Sequence, residues 1–274
     1  MPASKHDLLT EDEFNRHKLY GAIGEAVEKY RIENGLKPEQ MNVLDWGCGR
    51  GRDALWLLER GYNTYGVDVD PEPIQNALPL YTQKGYGNNR LQLIDLSAKT
   101  HFKDGYFHFT FSNQSFEHTA NLEDTAKELW RITVKSGVGY HVFPPKWGFR
   151  EGHLFMPFIH WLPKNHLRWY WIRFWIGLGV EPKWEELAGK TARQKTDRYF
   201  EYINSCTYYR QPREIRNIFQ NAGFTINFIT WQDPKVQRNP ILKFLTQFKS
   251  TRRMVNWLLI HFVRVEIGLE KSYC

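Results

Sequence analysis

Asp45, Gly47, Gly49 and Gly51 stand in the run Val43-Leu44-Asp45-Trp46-Gly47-Cys48-Gly49-Arg50-Gly51, where an acidic side chain precedes three glycines at alternate positions. An apolar strand that ends this way and gives onto helical sequence offers a turn whose torsions a Cβ would forbid. Its backbone can approach a ligand closely, an arrangement suited to a nucleoside-bearing cofactor. The order of acid, apolar Trp46 and glycines differs from the Gly-x-Gly-x-x-Gly of nicotinamide and flavin folds. A second strand, Asn63-Thr64-Tyr65-Gly66-Val67-Asp68-Val69-Asp70-Pro71, also ends in acid. It lies on the order of 20 residues beyond the turn, where a carboxylate can accept from both ribose hydroxyls. Asp68, with the Val69 backbone beside it, is the candidate for that role. Asp70 before Pro71 is placed to cap the helix through Ile74 and Leu78.

The glycine turn resembles motif I of the class I S-adenosylmethionine-dependent methyltransferases, and three later segments extend the resemblance over residues 41–143 in the same order. Asp95-Leu96, closing the strand Leu91–Ile94, matches the position at which these enzymes hold the adenine amine. A carboxylate can accept from that amine while the Leu96 backbone reads the ring edge. Ser112-Asn113-Gln114-Ser115-Phe116-Glu117-His118, after a strand from Tyr106 to Phe111, is similar to the loop that closes over the cofactor's methionine end in the branch with Glu-His after strand four. A helix over Glu123–Val134 and a turn at Lys135-Ser136-Gly137 follow. Two departures stand out: Phe107-His108 where the family usually has Phe-Asp, and Lys135-Ser136-Gly137-Val138 where it usually has Lys-Pro-Gly-Gly. The resemblance implies S-adenosylmethionine as cofactor, held by Asp45, Gly47, Cys48, Gly49, Asp68, Val69, Asp95, Leu96 and Asn113, with Cys48 a small packed residue rather than a nucleophile. It also implies an α/β fold, a doubly wound Rossmann-like sheet of seven strands with the last antiparallel between the fifth and sixth.

Transfer of a methyl from a sulfonium requires alignment of the acceptor, exclusion of water and, for a hydroxyl or protonated amine, removal of a proton. Glu151 and His153 lie two residues apart in a glycine-containing turn just after the fifth strand, and a histidine paired with a carboxylate can take that proton. His118 is a further catalytic candidate, with the alternative that its Glu-His pair positions the loop. Tyr20, Trp147 and His160 are candidates for acceptor contact, and no set of residues has the spacing of a metal site. His141, inside the fifth strand, reads as a core histidine. Phe143-Pro144-Pro145-Lys146 follows the wrong strand and lacks the asparagine of the exocyclic-amine nucleic-acid methyltransferases. No Pro-Cys follows strand four, against pyrimidine C5 chemistry.

These side chains need more scaffold than the minimal sheet, and the chain of 274 residues has it. Residues 1–40 are expected to form an N-terminal helical cap, with one amphipathic helix over Glu11–Asn34 presenting Leu19, Ile23, Ala26, Val27 and Tyr30. Residues 41–143 form the cofactor-binding core. Residues 144–206 form an inserted helical cap, too long for an ordinary connection. Residues 207–274 complete the sheet with strands over Phe224–Trp231 and about His261–Leu269, separated by a helical insertion at 240–258. Six of the eleven tryptophans fall between 147 and 184. They suit the walls of a pocket for an apolar or aromatic acceptor. Trp169, Trp171, Phe174 and Trp175 equally suit the cap's own core, the preferred reading after position 165.

Cysteines at 48, 206 and 274 make no disulfide framework, and Met1–Thr10 lacks the apolar core of a signal peptide; both suit a cytoplasmic protein. The composite expectation is an enzyme of small-molecule biosynthesis that methylates O or N of an apolar or aromatic metabolite, without a nucleic-acid partner. Two alternatives come from the formal net charge of +7. One is a lipid or quinone methyltransferase in weak peripheral contact with a membrane through Lys243, Lys249, Arg252 and Arg253 among apolar neighbours. The other is RNA methylation, although the charge is dispersed and no RNA-binding module is appended. The acceptor and the oligomeric state are not written in the sequence.

Overall fold

The computed structural model describes residues 8–271. The start of the polar N-terminal stretch, residues 1–7, and Cys274 lie outside the described residues. Seven strands, β1 (Asn42–Trp46), β2 (Asn63–Asp68), β3 (Leu91–Leu93), β4 (Phe107–Asn113), β5 (Thr133–Phe143), β6 (Thr225–Phe228) and β7 (Val265–Glu270), form one sheet in the order β3-β2-β1-β4-β5-β7-β6. β7 runs antiparallel between β5 and β6, as expected, and the others pair parallel. β1 lies centrally, so its apolar residues are buried on both faces, as in a doubly covered parallel sheet. Alternation then sends Val43 and Leu44 to opposite sides.

The helices are α1 (Glu11–Arg16), α2 (Gly21–Glu33), α3 (Arg52–Leu58), α4 (Pro71–Gln83), α5 (Leu122–Ile132), α6 (His166–Gly177), α7 (Ala192–Ser205), α8 (Pro212–Asn221), α9 (Pro234–Arg238), α10 (Pro240–Gln247) and α11 (Lys249–Phe262). On one face, Ile23 and Val27 of α2 pack with Val43, Phe109 and Phe111. On the other, α5 and α8 pack Leu129, Ile132, Ile215 and Phe219 against Leu44 and Phe107. Asp70 caps α4 as expected, its carboxylate accepting from the Glu72 amide at 3.1 Å.

Three expectations are corrected. The single N-terminal helix is two, α1 and α2, broken at 17–20, where the chain is extended at His17 and turns so that Leu19 enters the core. The Lys135-Ser136-Gly137 turn lies inside a long β5, as an irregularity that shifts its register on β4. Ser136 takes φ +60°, its amide donates to the Lys271 carbonyl, and a Cβ on Gly137 would come within 2.6 Å of Thr133. The expected strand over Phe224–Trp231 is shorter, because a 3-10 turn takes Thr230–Gln232. His108, at the position of the expected acidic residue, accepts from the Asn42 amide at 3.0 Å, tying β4 to the start of β1.

The inserted segment has a core of its own. Leu154, Met156, Ile159, Ile172, Ile176, Trp184, Tyr199 and Ile203 are buried together, with Trp171 and Trp175 packed against them. These aromatics build the cap. Trp169 donates to Asp197 on α7, and Phe174 is half exposed.

Candidate functional site

The carboxyl ends of β1, β2 and β4 border a cavity of about 580 Å³, lined by Asp45, Gly47, Cys48, Gly49, Asp53 and Asn113 from the core. Backbone geometry makes its floor. Gly47 and Gly49 have φ of +74° and +52°; a Cβ on Gly47 would lie 1.9 Å from Ser115 Oγ, whereas one on Gly49 would meet only open space. The Gly47 and Cys48 amides both donate to the Val67 carbonyl, clamping the turn onto β2. Asp68 accepts from the Gly49 amide at 2.7 Å and from the Asp70 amide at 2.9 Å, which leaves part of its lone-pair capacity for a ligand. Burial raises the Asp68 pKa, partly offset by these amide donors. Asp45 is buried, and loss of solvation together with the charges of Asp53 and Asp68 raises its pKa well above the carboxylate range. Burial likewise raises the pKa of the Cys48 thiol.

This acidic turn fits S-adenosylmethionine, whose ribose hydroxyls donate and whose sulfonium and amine are cationic. Glycine backbone faces open space, and carboxylates gather around it. Other contacts come from positions that local pattern does not single out. His17, between α1 and α2, lines the cavity and lies 2.5 Å from Asp53; Arg50, Arg52, Asp70 and Glu72 line it too. Arg198, Tyr202 and Cys206 close it from the cap. Asp95 accepts from the Ser97 amide at 2.9 Å, and neither it, nor Asp68, nor the exposed Val69 and Leu96 is among the residues that line the cavity.

One layer behind Tyr202 and Cys206 lies a histidine pair. His153 Nε2 and His118 Nε2 are 3.1 Å apart. His118 Nδ1 donates to the Cys206 carbonyl at 2.7 Å, and the Tyr202 ring packs 5.7 Å from that of His153. Glu151 builds the turn: its carboxylate accepts from the His153 amide at 2.8 Å, the Leu154 amide at 2.5 Å, His153 Nδ1 at 2.7 Å and the Tyr209 hydroxyl. Burial alone would raise the Glu151 pKa, but the His153 bond and charge, with the other donors, hold it below the usual range. His118 keeps some solvent-exposed surface, yet protein packed around its ring strips it of water and, with His153 beside it, lowers its pKa to about 4. Glu117 is 2% exposed, neither carboxylate oxygen has a hydrogen-bond partner, and burial pushes its pKa up to about 8.

The remaining candidates are elsewhere. His160 is buried against the Tyr209 ring and lines a separate cavity of about 240 Å³ with Lys146, Lys164, Arg168 and Arg210. Trp147 packs edge-on to Trp161. The Tyr20 hydroxyl, with one proton to give, lies within hydrogen-bond reach of Asp233 and, at 2.9 Å, of Glu266, and it accepts from Arg264, in a polar cluster outside the cofactor cavity lining. His141 is a core histidine: fully buried, stacked on Phe116, bonded to Ser112 Oγ at 2.9 Å, its pKa lowered to about 3 by burial.

Residues 44–140 match a family described as a methyltransferase domain. A 2-heptyl-1-hydroxyquinolin-4(1H)-one methyltransferase of Mycobacteroides abscessus is 39% identical over 66 residues, covering 24% of this chain and 29% of that protein. Malonyl-[acyl-carrier protein] O-methyltransferase of Salmonella typhimurium is 26% identical over 137 residues, 45% of this chain and 52% of that protein. The chain thus spans about half or less of these relatives' length. In fold it is similar to the YcgJ protein of Bacillus subtilis, with a TM-score of 0.53 at 14% identity over 93% of this chain and 100% of the other. Residues 44–140 are therefore a methyltransferase domain, and the glycine turn and acidic strand ends within it fit S-adenosylmethionine.

Proposed function

We propose that the protein transfers a methyl group to oxygen or nitrogen of a small apolar or aromatic metabolite admitted between the core and the aromatic cap. The observation that carries this reading is the cavity itself: acidic core residues and the cap residues Arg198, Tyr202 and Cys206 enclose one space, and the Glu151–His153–His118 array stands directly behind it. When bound, S-adenosylmethionine supplies an electrophilic methyl on a sulfonium. Asp68 holds the glycine turn and offers its remaining lone pairs to ribose hydroxyls. The 113–118 loop, tied to the cap by the Tyr208 amide on the Glu117 carbonyl, excludes water. His153 and His118, whose Nε2 atoms meet 3.1 Å apart, are the groups proposed to take the acceptor's proton, and the buried Glu151 carboxylate on His153 Nδ1 stabilises the cation formed. No helix among the described residues is long and apolar enough to cross a membrane. The described cysteines, 48 and 206, are unpaired, which suits a reducing cytoplasm.

The reading is tested by single-turnover assays with labelled S-adenosylmethionine against a panel of hydroxylated and amino aromatics, with tRNA and rRNA alongside. Methyl incorporation into a small acceptor supports it; saturable, RNase-sensitive incorporation into RNA overturns it.

A second reading, an acceptor taken from a membrane surface, is favoured by one observation. α10 and α11 expose Ile241, Phe244, Phe248, Met254, Trp257 and Leu258 beside Lys243, Lys249, Arg252 and Arg253. A lipid or quinone acceptor would be drawn from a bilayer held at that face.

A further inference from the structure

The proton inventory at the histidine pair leaves a gap. A carbonyl oxygen only accepts, so His118 carries its proton on Nδ1, toward Cys206. A carboxylate only accepts, so His153 carries its proton on Nδ1, toward Glu151. With no further proton, each ring has its lone pair on Nε2, and the two Nε2 atoms face one another at 3.1 Å. Lone pairs this close repel unless a positive centre, a shared proton or a metal cation, sits against both. The Glu117 carboxylate, deeply buried and without a donor on either oxygen, completes a set of ligand atoms that all lie within 4.8 Å of one another.

We propose that Glu117, His118 and His153 bind a divalent cation of the zinc class. Two metal–nitrogen bonds of about 2.0–2.1 Å at a tetrahedral angle separate their nitrogens by roughly 3.3 Å, close to the spacing found here. Two histidines and one glutamate are a donor set that zinc takes in sites with an open position. The orienting partners are in place as well. Metal-bound imidazoles characteristically donate their other N–H to a carbonyl or carboxylate, the roles of the Cys206 carbonyl and Glu151. The cation would also satisfy Glu117, whose burial otherwise has no compensating partner. Surface exposure of His118 provides a way in. Resting on the methyltransferase reading, a bound cation occupies both Nε2 lone pairs, so neither histidine is then the base; the open position takes the acceptor's oxygen or nitrogen, whose pKa the cation lowers so that its proton leaves to solvent. Metal binding itself does not depend on that reading.

The test uses the full chain, stripped by chelator and titrated with Zn²⁺ against a chromophoric chelator and with Co²⁺ followed in the visible. S-Adenosylmethionine binding is measured on the same samples as a check of folding. The expected result is a single equivalent bound, with cobalt ligand-field bands that vanish in His118→Ala and His153→Ala. Glu117→Gln should weaken binding by tenfold or more, and Glu151→Gln by about 10- to 100-fold through the orientation of His153. Since glutamine has no charge to bury, Glu117→Gln should not lower the melting temperature of the metal-free protein. Stoichiometric binding of S-adenosylmethionine with no cobalt bands, or zinc affinity equal in the wild type and the histidine double variant, would overturn the site and leave the methyltransferase reading standing. Metal bound without S-adenosylmethionine would do the reverse.

Discussion

Asp68 fastens the Gly49 and Asp70 amides with one carboxylate, and its remaining lone pairs are the ones proposed for the ribose hydroxyls. Charge-assisted bonds are worth roughly 1.5–3 kcal/mol each, so Asp68→Ala should weaken S-adenosylmethionine binding by at least about tenfold. Calorimetric titration checks this, and undiminished affinity in a folded variant would remove Asp68 from the ribose role. His153→Ala should leave cofactor binding intact and cut turnover by roughly 10² to 10⁴, the range of a positioned general base. Glu151→Gln should give a smaller loss in rate together with a lower melting temperature, because the carboxylate also closes the 151–154 turn through two amide bonds. Near-normal rates in both variants would mean that proximity and desolvation carry the reaction alone.

At the scale of elements, the glycine turn and the loop after β4 are built against each other. A Cβ at Gly47 would overlap Ser115, so Gly47→Ala should abolish cofactor binding and destabilise the fold. Adding Ser115→Gly should restore only part of the stability, since the positive φ still costs on the order of 1 kcal/mol for alanine. Thermal melts of the single and double variants check both, and full recovery would show that the overlap alone mattered. The α10–α11 face is testable in the same spirit. The protein should sediment with anionic but not neutral vesicles, and Phe244→Glu with Trp257→Glu should release it. Equal sedimentation of the variant would exclude this face as a membrane contact.

For the molecule as a whole, one buried cluster joins the N-terminal helices to the far strands. Glu266 on β7 accepts from Tyr140 at 2.6 Å and Tyr20 at 2.9 Å, beside Asp233 and Arg264. Burial, then the neighbouring Asp233, pushes its pKa up to about 7. A carboxyl that holds its proton more tightly in the fold favours folding while it is protonated in both states. That contribution is lost as pH rises from the ordinary carboxylate range through about 7. The melting temperature of the wild type should therefore fall relative to Glu266→Gln across that interval. Parallel curves would show that Glu266 is already ionised in the fold.

How much of this was legible beforehand follows from what is local. The glycine turn, the acidic strand ends, the Asp70 cap and the antiparallel last strand could be read or inferred from the sequence, because they rest on torsions, alternation and a resemblance carried by contiguous motifs. The break between α1 and α2 and the irregular β5 were not, since Leu19 burial and the Lys271 contacts decide them from elsewhere in the chain. Glu151 and His153 could be paired by spacing, two residues apart. That His153 meets His118 across 35 positions, that Glu117 is buried without a partner, and that Tyr20 is consumed by Asp233 and Glu266 depend on how the cap and the last strand dock on the core. Sequence by itself determined the glycine turn and the sheet that carries it, because backbone geometry there is set by residues a few positions apart. Only the tertiary structure decided which side chains share a cavity, because desolvation and pairing are properties of neighbours in space.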